Sequence, residues 1–204
     1  MYSTFQRLNH LSSLATTYVM ILLGLISIAS FLSLPEVDAG RIDVKDIILQ
    51  KGRLRRWGAR EEELASLRFD IRTDLNPLLK SYNTKQLFLY MTASYPEYDP
   101  SSGSVREQHD VVLWDRIVQR ADIRDIRAVG KKIPAGKGKK GRGNIRVEEG
   151  KNKYMWTNPS GTFRDVPSAN LTLHYSLMPY VGVLSSGIAA TAQGPITLPE
   201  VLKR

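Results

Sequence analysis

The chain has 204 residues, no cysteine and a formal net charge of +9. Without cysteine it has no disulfide, no thiolate nucleophile and no cysteine-ligated zinc site. The net positive charge lies in Lys51–Arg60 and Lys131–Arg146, which contain five and seven basic residues and no acidic one. The remaining residues include seventeen basic and twenty acidic side chains, so the body of the protein is not expected to be a nucleic-acid-binding surface.

The first predicted element is a membrane-spanning helix. Leu11–Leu34 has twenty-four residues without a charge, and a helix of that length reaches roughly 36 Å, more than the hydrocarbon core of about 30 Å. A cleavable secretory signal is the alternative, with Val37-Asp38-Ala39 as its cleavage site, but its apolar region would be only about 7–15 residues long. The sequence therefore favours a retained anchor at 11–34, between a tail at 1–10 and a folded domain at 35–204.

The charges that flank the anchor predict its orientation. Arg7 and the α-amino group precede the apolar segment, whereas Glu36 and Asp38 follow it. Because positive flanks stay in the cytoplasm, we expect a cytosolic N-terminus and a lumenal domain.

One N-glycosylation acceptor pattern, Asn170-Leu171-Thr172, agrees with that orientation. It lies in a segment whose alternate residues are apolar, so a strand there would expose Asn170 on its wet face. A chance tripeptide is the alternative to a used glycosylation site.

The folded domain is predicted to be mainly β. Short segments with alternating or two-sided apolar patterns, separated by turns and without long amphipathic helices, are typical of an antiparallel β-sandwich. Asp74–Pro77 indicates a turn followed by a short helical turn, and Tyr95–Asp110 is expected to form a loop because it is rich in Pro, Ser, Gly and charge. The expected strands are Arg41–Gln50, Leu67–Thr73, Thr84–Tyr95, Val111–Val118, Lys153–Thr157, Asn170–Leu177 and Gly187–Leu198.

The low-complexity segment at 131–150 is expected to be a flexible basic insertion. It lacks the aromatic side chains on which bases stack, so no nucleic-acid partner is expected. A solvated loop is the simplest interpretation, and contact with anionic lipid headgroups or an acidic partner is the alternative.

The sequence contains no recognisable catalytic set. His109 lies in the expected loop and His174 on the exposed face of a strand, and the nucleophile-elbow, zinc-protease and P-loop motifs are missing. A Ser–Lys pair stays open because both residue types are abundant. Asp115 and Arg116 are candidate interface charges, although such a pair more commonly lies at a sheet edge or faces solvent. No catalytic residue, cofactor or metal is expected.

The chain resembles subunit 3 of the eukaryotic signal peptidase complex. The resemblance is carried first by Lys85–Tyr90 followed by Val111–Val118, and it covers nearly the whole chain. An N-terminal anchor before a lumenal domain is also that family's layout. Further matching pieces, in order, are Phe69-Asp70-Ile71, Thr73-Asp74-Leu75, Lys153-Tyr154, Asn170–Leu173, Pro179 and Gly182.

The resemblance implies a non-catalytic subunit of the endoplasmic reticulum signal peptidase complex, which supports the catalytic subunit in removing signal peptides. Its implied partners are that subunit, the other complex subunits and membrane lipid, and the family glycosylation position matches Asn170. We hypothesise that an exposed Trp114 or Asp115, with Arg116, forms part of the interface; a core position for Trp114 is the alternative. A lumenal binding module or chaperone at the translocation site, or a membrane-anchored lumenal hydrolase, are the competing functions.

Overall fold

A computed structural model of the chain describes residues 3–53, 61–119, 144–148 and 153–201, with only the backbone described at 144–148. Most of the basic segment at 51–60 and of the expected insertion at 131–150 lies outside these residues. The exception in the insertion is a short strand at 144–148.

The N-terminal helix α1 spans Thr4–Leu32 and has no buried residue. It is long and apolar enough to cross a membrane. The helix begins seven residues before the predicted segment because Ser3 and Gln6 form a capping box, in which each side chain accepts a hydrogen bond from the other's backbone N–H. Polar residues of the first turns therefore join the helix without contributing to its apolar length.

The domain that follows is a β-sheet domain, as predicted. The predicted helical turn is present as α2, and the predicted strands that lie in the described residues are recovered with different ends, except Gly187–Leu198, which is divided in two. The elements are β1 (Gly40–Gly52), β2 (Glu62–Asp74), α2 (Asn76–Lys80), β3 (Thr84–Tyr98), β4 (Val105–Gln119), β5 (Asn144–Glu148), β6 (Tyr154–Thr157), β7 (Ser168–Pro179), β8 (Ser185–Ala192) and β9 (Ile196–Thr197).

The strands are hydrogen-bonded in the order β4-β3-β7-β8-β1-β2-β5, with β6 also on β2 and β9 also on β7. The β1–β8 junction consists of three residue pairs, Gly40–Ile42 with Ala190–Ala192, and it is parallel. We call β4-β3-β7-β8 the first layer and β1-β2, with β5 and β6, the second layer. Phe69 of β2 meets Trp114 of β4 edge to face at 6.4 Å between ring centroids, so the two layers face each other as a sandwich. The parallel junction is a departure from the expected all-antiparallel pairing.

The expected loop at Tyr95–Asp110 was wrong. Strand β3 continues to Tyr98, β4 begins at Val105, and the two strands pair along their whole length. Tyr95 is fully buried and Glu97 is 7% exposed, so tertiary contacts hold a segment whose composition favours a loop. Only 99–104 remains as the connecting turn.

The predicted strand Gly187–Leu198 is interrupted. It divides into β8 and β9 at a bend where Gly194 has a φ of +122°. A backbone at this φ cannot continue an extended strand.

The C-terminal end of α1 is joined to the domain through Asn83, which lies between α2 and β3 and is 5% exposed. Its Nδ2 donates to Ser30 Oγ of the helix at 2.9 Å and to the Val181 carbonyl at 2.6 Å, and Val181 N–H donates to its Oδ1 at 3.1 Å. We call this end of the sandwich the helix-proximal end, and the end with the 99–104 turn the distal end.

Candidate interaction surface

The outward side of the first layer carries a group of neighbouring apolar side chains, three of which are exposed. In antiparallel strands, directly opposed residues share a face. Phe88 is opposite Ile117 and Ser176, and Tyr90 is opposite Asp115 and His174. We call this surface the outer face; its defining residues are Phe88, Tyr90, Val112, Asp115, Ile117, His174 and Ile188.

An aromatic stack runs across the outer face. Phe88 and Tyr90 stack at 5.5 Å between ring centroids, and Tyr90 and His174 stack at 5.1 Å. His174 Nε2 lies 3.1 Å from Thr92 Oγ1, which holds the imidazole in the plane of the stack. Since three rings on two strands restrain each other, this part of the surface is rigid before any partner binds.

Exposed aliphatic side chains surround the stack. Val112 is 58% exposed, Ile117 is 54% exposed and Ile188 is 49% exposed. Together with the rings they group apolar side chains on one face of a sheet, as protein-binding sites do.

The three predicted interface residues do not share a face. Trp114 is 7% exposed and packs against Phe69, so its expected exposure was wrong and it is a core residue. Arg116 is opposite the buried Leu89 and is half-buried. Asp115 alone of the three lies on the outer face.

A β-bulge explains why Trp114 turns inward. Met91 pairs with Trp114 and the next residue, Thr92, pairs with Val112, so Leu113 is an extra residue on β4. The bulge reverses the facing of the strand. Val112 and Trp114, two residues apart, therefore point to opposite sides, which a regular period-2 pattern does not allow.

Asn170 is exposed on β7, opposite Ser94 of β3. Its neighbours Leu171 and Leu173 alternate with it in facing, with Leu171 3% exposed and Leu173 fully buried. The predicted wet face of this strand is confirmed, and a glycan on Asn170 would project from the outer face near its distal end.

A buried polar cluster closes the distal end of the sandwich. Asn158 Nδ2 donates to Glu97 Oε2 at 3.0 Å, and His109 Nε2 lies 3.2 Å from the same oxygen. Tyr95 donates its hydroxyl to Asn158 Oδ1 at 3.2 Å. These contacts join the β3–β4 hairpin of the first layer to the segment after β6 in the second.

The electrostatics of this cluster follow from its burial. The hydrogen bond from Asn158, with those of His109 and Ser160, holds the pKa of Glu97 below its ordinary value despite desolvation. Burial, and then the Glu97 charge, raises the pKa of Tyr95 to about 12. At neutral pH the cluster therefore contains an ionised carboxylate and a neutral phenol.

In its described contacts, neither histidine of the domain joins an acid to a hydroxyl nucleophile. His109 Nε2 faces two acids, Glu97 Oε2 at 3.2 Å and Glu107 Oε2 at 3.7 Å, so this nitrogen contacts carboxylates rather than the nucleophile that a general base activates. Within the residues described, no group of three or more His, Cys, Asp or Glu side chains is arranged to hold a metal ion.

Sequence reasoning missed several of these residues. Phe88 and Tyr90 were visible as the second apolar face of β3, but His174 joins them only through strand register. Glu97 and His109 could not be paired, because both were placed in a loop. Asn83 carried no signal, since its partners are 53 and 98 residues away in sequence.

Comparison with known families identifies one that matches nearly the whole chain. The sequence profile described as "Signal peptidase subunit" matches residues 1–201.

Individual relatives agree with that match. The chain is 23% identical to signal peptidase complex subunit 3 of Yarrowia lipolytica, over 99% of this chain and 100% of the relative. It is 27% identical to the Saccharomyces cerevisiae protein of the same name, over 92% and 91% of the two chains, and 28% identical to that of Debaryomyces hansenii, over 92% and 89%.

Proposed function

The chain belongs to the signal peptidase subunit family, and from this membership we propose that it is a non-catalytic subunit of the signal peptidase complex that braces the catalytic subunit at the lumenal membrane face. In this proposal α1 is a single-pass anchor in the endoplasmic reticulum membrane, with a cytosolic tail at 1–10 and the domain at 35–204 in the lumen. The partners are the catalytic subunit, the other complex subunits and membrane lipid.

The outer face is the observation that carries the bracing role. A subunit that supports another needs an exposed, rigid, apolar surface, because apolar burial drives stable association and rigidity lowers its entropic cost. Val112, Ile117 and the Phe88–Tyr90–His174 stack meet these needs. Asp115 adds a charge that orients a basic partner group.

The fold also supports a fixed height for this surface. Strand β3 begins beside Asn83 at the end of α1, and its residues rise by about 3.3 Å each. Phe88 then lies roughly 13 Å and Thr92 roughly 26 Å along the strand from Thr84. A peptidase held at these heights keeps a constant distance from the membrane, and errors near 1 Å are costly in rate.

The position of Asn170 is compatible with this arrangement. It is opposite Ser94, roughly 33 Å along β3 from Thr84. A glycan there would leave the part of the outer face nearer the helix free for a protein partner. We propose that Asn170 is glycosylated; Asn170→Gln should remove the mobility shift that endoglycosidase treatment of the native chain produces.

The environment of the histidines supports a non-catalytic role. His109 Nε2 faces Glu97 and Glu107, and His174 is stacked on Tyr90 with its Nε2 near Thr92 Oγ1, so in the described contacts neither imidazole links an acid to a serine. The purified chain should therefore cleave no signal peptide by itself. Cleavage by the chain alone would instead support the hydrolase alternative.

The bracing role is tested by charging the outer face. The double variant V112K/I117K should lose at least about 90% of the catalytic subunit that co-purifies with the tagged chain from microsomes in mild detergent, as measured by mass spectrometry. Met155→Lys is the matched control, because Met155 is 57% exposed on β6 of the second layer. Equal recovery with both variants would refute the interface, and recovery of unrelated clients by the native chain would favour the binding-module alternative.

A further inference from the structure

We propose that the connection between β7 and β8, residues Tyr180–Leu184, inserts into the lumenal leaflet beside α1 and gives the chain a second contact with membrane lipid. We call this segment the apolar tip. The inference rests on the proposed insertion of α1 and goes beyond it, because a single helix fixes a domain to the membrane without fixing its tilt.

The apolar tip is exposed although its side chains are apolar. Tyr180 is 63% exposed, Val183 is 70% exposed and Leu184 is 62% exposed, and the nearby Tyr82 is 61% exposed. Adjacent exposed apolar side chains of this size mark a contact surface. Two tyrosines at its border are the residue type enriched at the membrane–water interface.

The apolar tip lies alongside the helix rather than beyond its end. A Cβ added to Gly182 would be 2.9 Å from Ser27 Oγ, and Ser27 precedes the last helical residue, Leu32, by five residues. At about 1.5 Å per residue this places Gly182 roughly 7.5 Å back along the helix. Interfacial segments bury their apolar face to about 5–10 Å, which is the same depth.

The helix and the apolar tip share a crevice, so their apolar surfaces are continuous. Val181 and Val183 line it from the tip, and Ser27 and Phe31 line it from α1. If α1 is in lipid at this level, the adjacent outward side chain of Val183 is in lipid too.

The segment that contains the apolar tip has no charged side chain that would oppose its insertion into lipid. From Tyr175 to Pro199 the chain has twenty-five residues without a charged side chain. A charged side chain is costly to place in the bilayer, so an uncharged hairpin avoids a cost that a charged surface would incur.

The backbone of the apolar tip is paired within the protein at Tyr180 and Val181. Non-helical backbone near hydrocarbon requires its polar groups to be paired within the protein. Asn83 pairs three of them: its carbonyl accepts from Tyr180 N–H at 2.8 Å, its Oδ1 from Val181 N–H at 3.1 Å, and its Nδ2 donates to the Val181 carbonyl at 2.6 Å. The same asparagine therefore joins the helix and pairs the backbone groups at the start of the tip.

The native chain has no cysteine, so single cysteines can carry an environment-sensitive fluorophore. The full chain, reconstituted in nanodiscs, is labelled at Val183→Cys, at Val105→Cys and at Leu22→Cys. Val105 is the matched control, since it is 54% exposed at the distal end, and Leu22 reports on α1. Unchanged thermal unfolding of each labelled chain shows that the fold is retained.

Two quenchers distinguish the outcomes. The Val183 label should lose about half its fluorescence when the lipid carries a nitroxide at a shallow acyl position, and iodide in the buffer should quench it several-fold less than the Val105 label. Iodide quenching of Val183 equal to that of Val105, while Leu22 responds to lipid nitroxide, would overturn the insertion and leave the anchor standing. A Leu22 label that is not quenched by a nitroxide deep in the acyl chain would overturn the anchor, and the insertion with it.

The occupant of the surface is tested in the assembled complex. The same Val183 label is measured in the assembled complex in nanodiscs. The background fluorescence of a complex that contains the cysteine-free native chain is subtracted. The label should keep its quenching by lipid nitroxide. Loss of that quenching on assembly would mean that another subunit covers the apolar tip, and it would overturn lipid as the occupant.

Discussion

The two ends of the β-sandwich are closed by different chemistry. At the helix-proximal end, the amide of Asn83 connects Ser30 of the helix to the Val181 backbone through uncharged groups. At the distal end, an ionised Glu97 accepts hydrogen bonds from Asn158 and His109. Both polar residues are almost fully buried.

The difference follows from the medium each end faces in the proposed arrangement. A buried carboxylate requires several donors to offset its desolvation, and the distal end, with water beside it, supplies them at modest cost. Near lipid no water offsets the desolvation of a charged group, whereas an uncharged amide can still satisfy backbone groups. One sandwich therefore uses a charged closure where water is near and a neutral closure where lipid is near.

The largest effect is expected from breaking the distal closure. Glu97→Leu leaves the Asn158 amide and the His109 ring without their shared acceptor, and it should lower the free energy of unfolding by about 3 kcal/mol. For a domain of this size that corresponds to roughly 6–12 °C in Tm. Tryptophan fluorescence of the full chain in detergent measures the transition.

Glu107→Leu is the control for that prediction. Glu107 approaches the same histidine, but its side chain is 59% exposed, so its removal should change Tm little. Equal losses in the two variants would show that burial of Glu97 is not what stabilises the distal end.

A smaller loss is expected at the helix-proximal end. Asn83→Ala removes three side-chain hydrogen bonds, but all of them join uncharged groups, so we expect a loss of about 2 kcal/mol in unfolding free energy. Ser30→Ala removes only one of the three and should cost about 1 kcal/mol or less. If Ser30→Ala lowered the unfolding free energy as much as Asn83→Ala, the stabilising effect of Asn83 would come from its contact with the helix rather than from its contacts with the apolar tip.

A comparison of two glycines sharpens the same contrast. Gly182 has a φ of +121° and no room for a Cβ beside Ser27, whereas Gly103 in the distal turn has a φ of +65° and open space around it. We expect roughly 1.5 kcal/mol of destabilisation from Gly182→Ala and about 1 kcal/mol from Gly103→Ala. Hydrogen exchange at the Val181 amide should quicken in the first variant only.

The smallest effect near neutral pH comes from titration. The pKa of Glu97 is lowered from 4.5 on folding, so its contribution is complete above pH 4.5 and is lost as the pH falls through the lower folded value. The pKa of Tyr95 is raised from 10.0 to about 12, so its contribution is complete below pH 10 and is lost between pH 10 and about 12.

Urea unfolding of the full chain across pH measures both contributions. Glu97→Gln should flatten the acidic side of the stability profile and Tyr95→Phe the alkaline side. An acidic limb that is unchanged in Glu97→Gln would assign acid sensitivity to another carboxylate, and the distal cluster would lose its proposed electrostatic role.

Much of the fold could be predicted because its signals are local. An uncharged run from Leu11 to Leu34 is enough for an apolar helix, and alternation from Asn170 to Leu177 is enough for a strand with one wet face. Family membership was likewise recognisable, since short motifs kept their order along the chain.

The candidate surface could be predicted only in part. Asp115 was correctly assigned to a strand, but the strand's facing depended on the bulge at Leu113, which is defined by pairing with β3. The segment Tyr95–Asp110 looked like a loop because composition reports local preference, whereas buried contacts with Asn158 decide its structure.

The sequence by itself determined the apolar helix, the mainly β domain and the family, because each depends on hydrophobic periodicity or on ordered motifs within short segments. The tertiary structure alone decided that Trp114 is core, that Phe88, Tyr90 and His174 form one stack, and that the apolar tip lies against Ser27. Register, bulges and long-range hydrogen bonds join residues dozens of positions apart, and no local pattern in the chain specifies which of them meet.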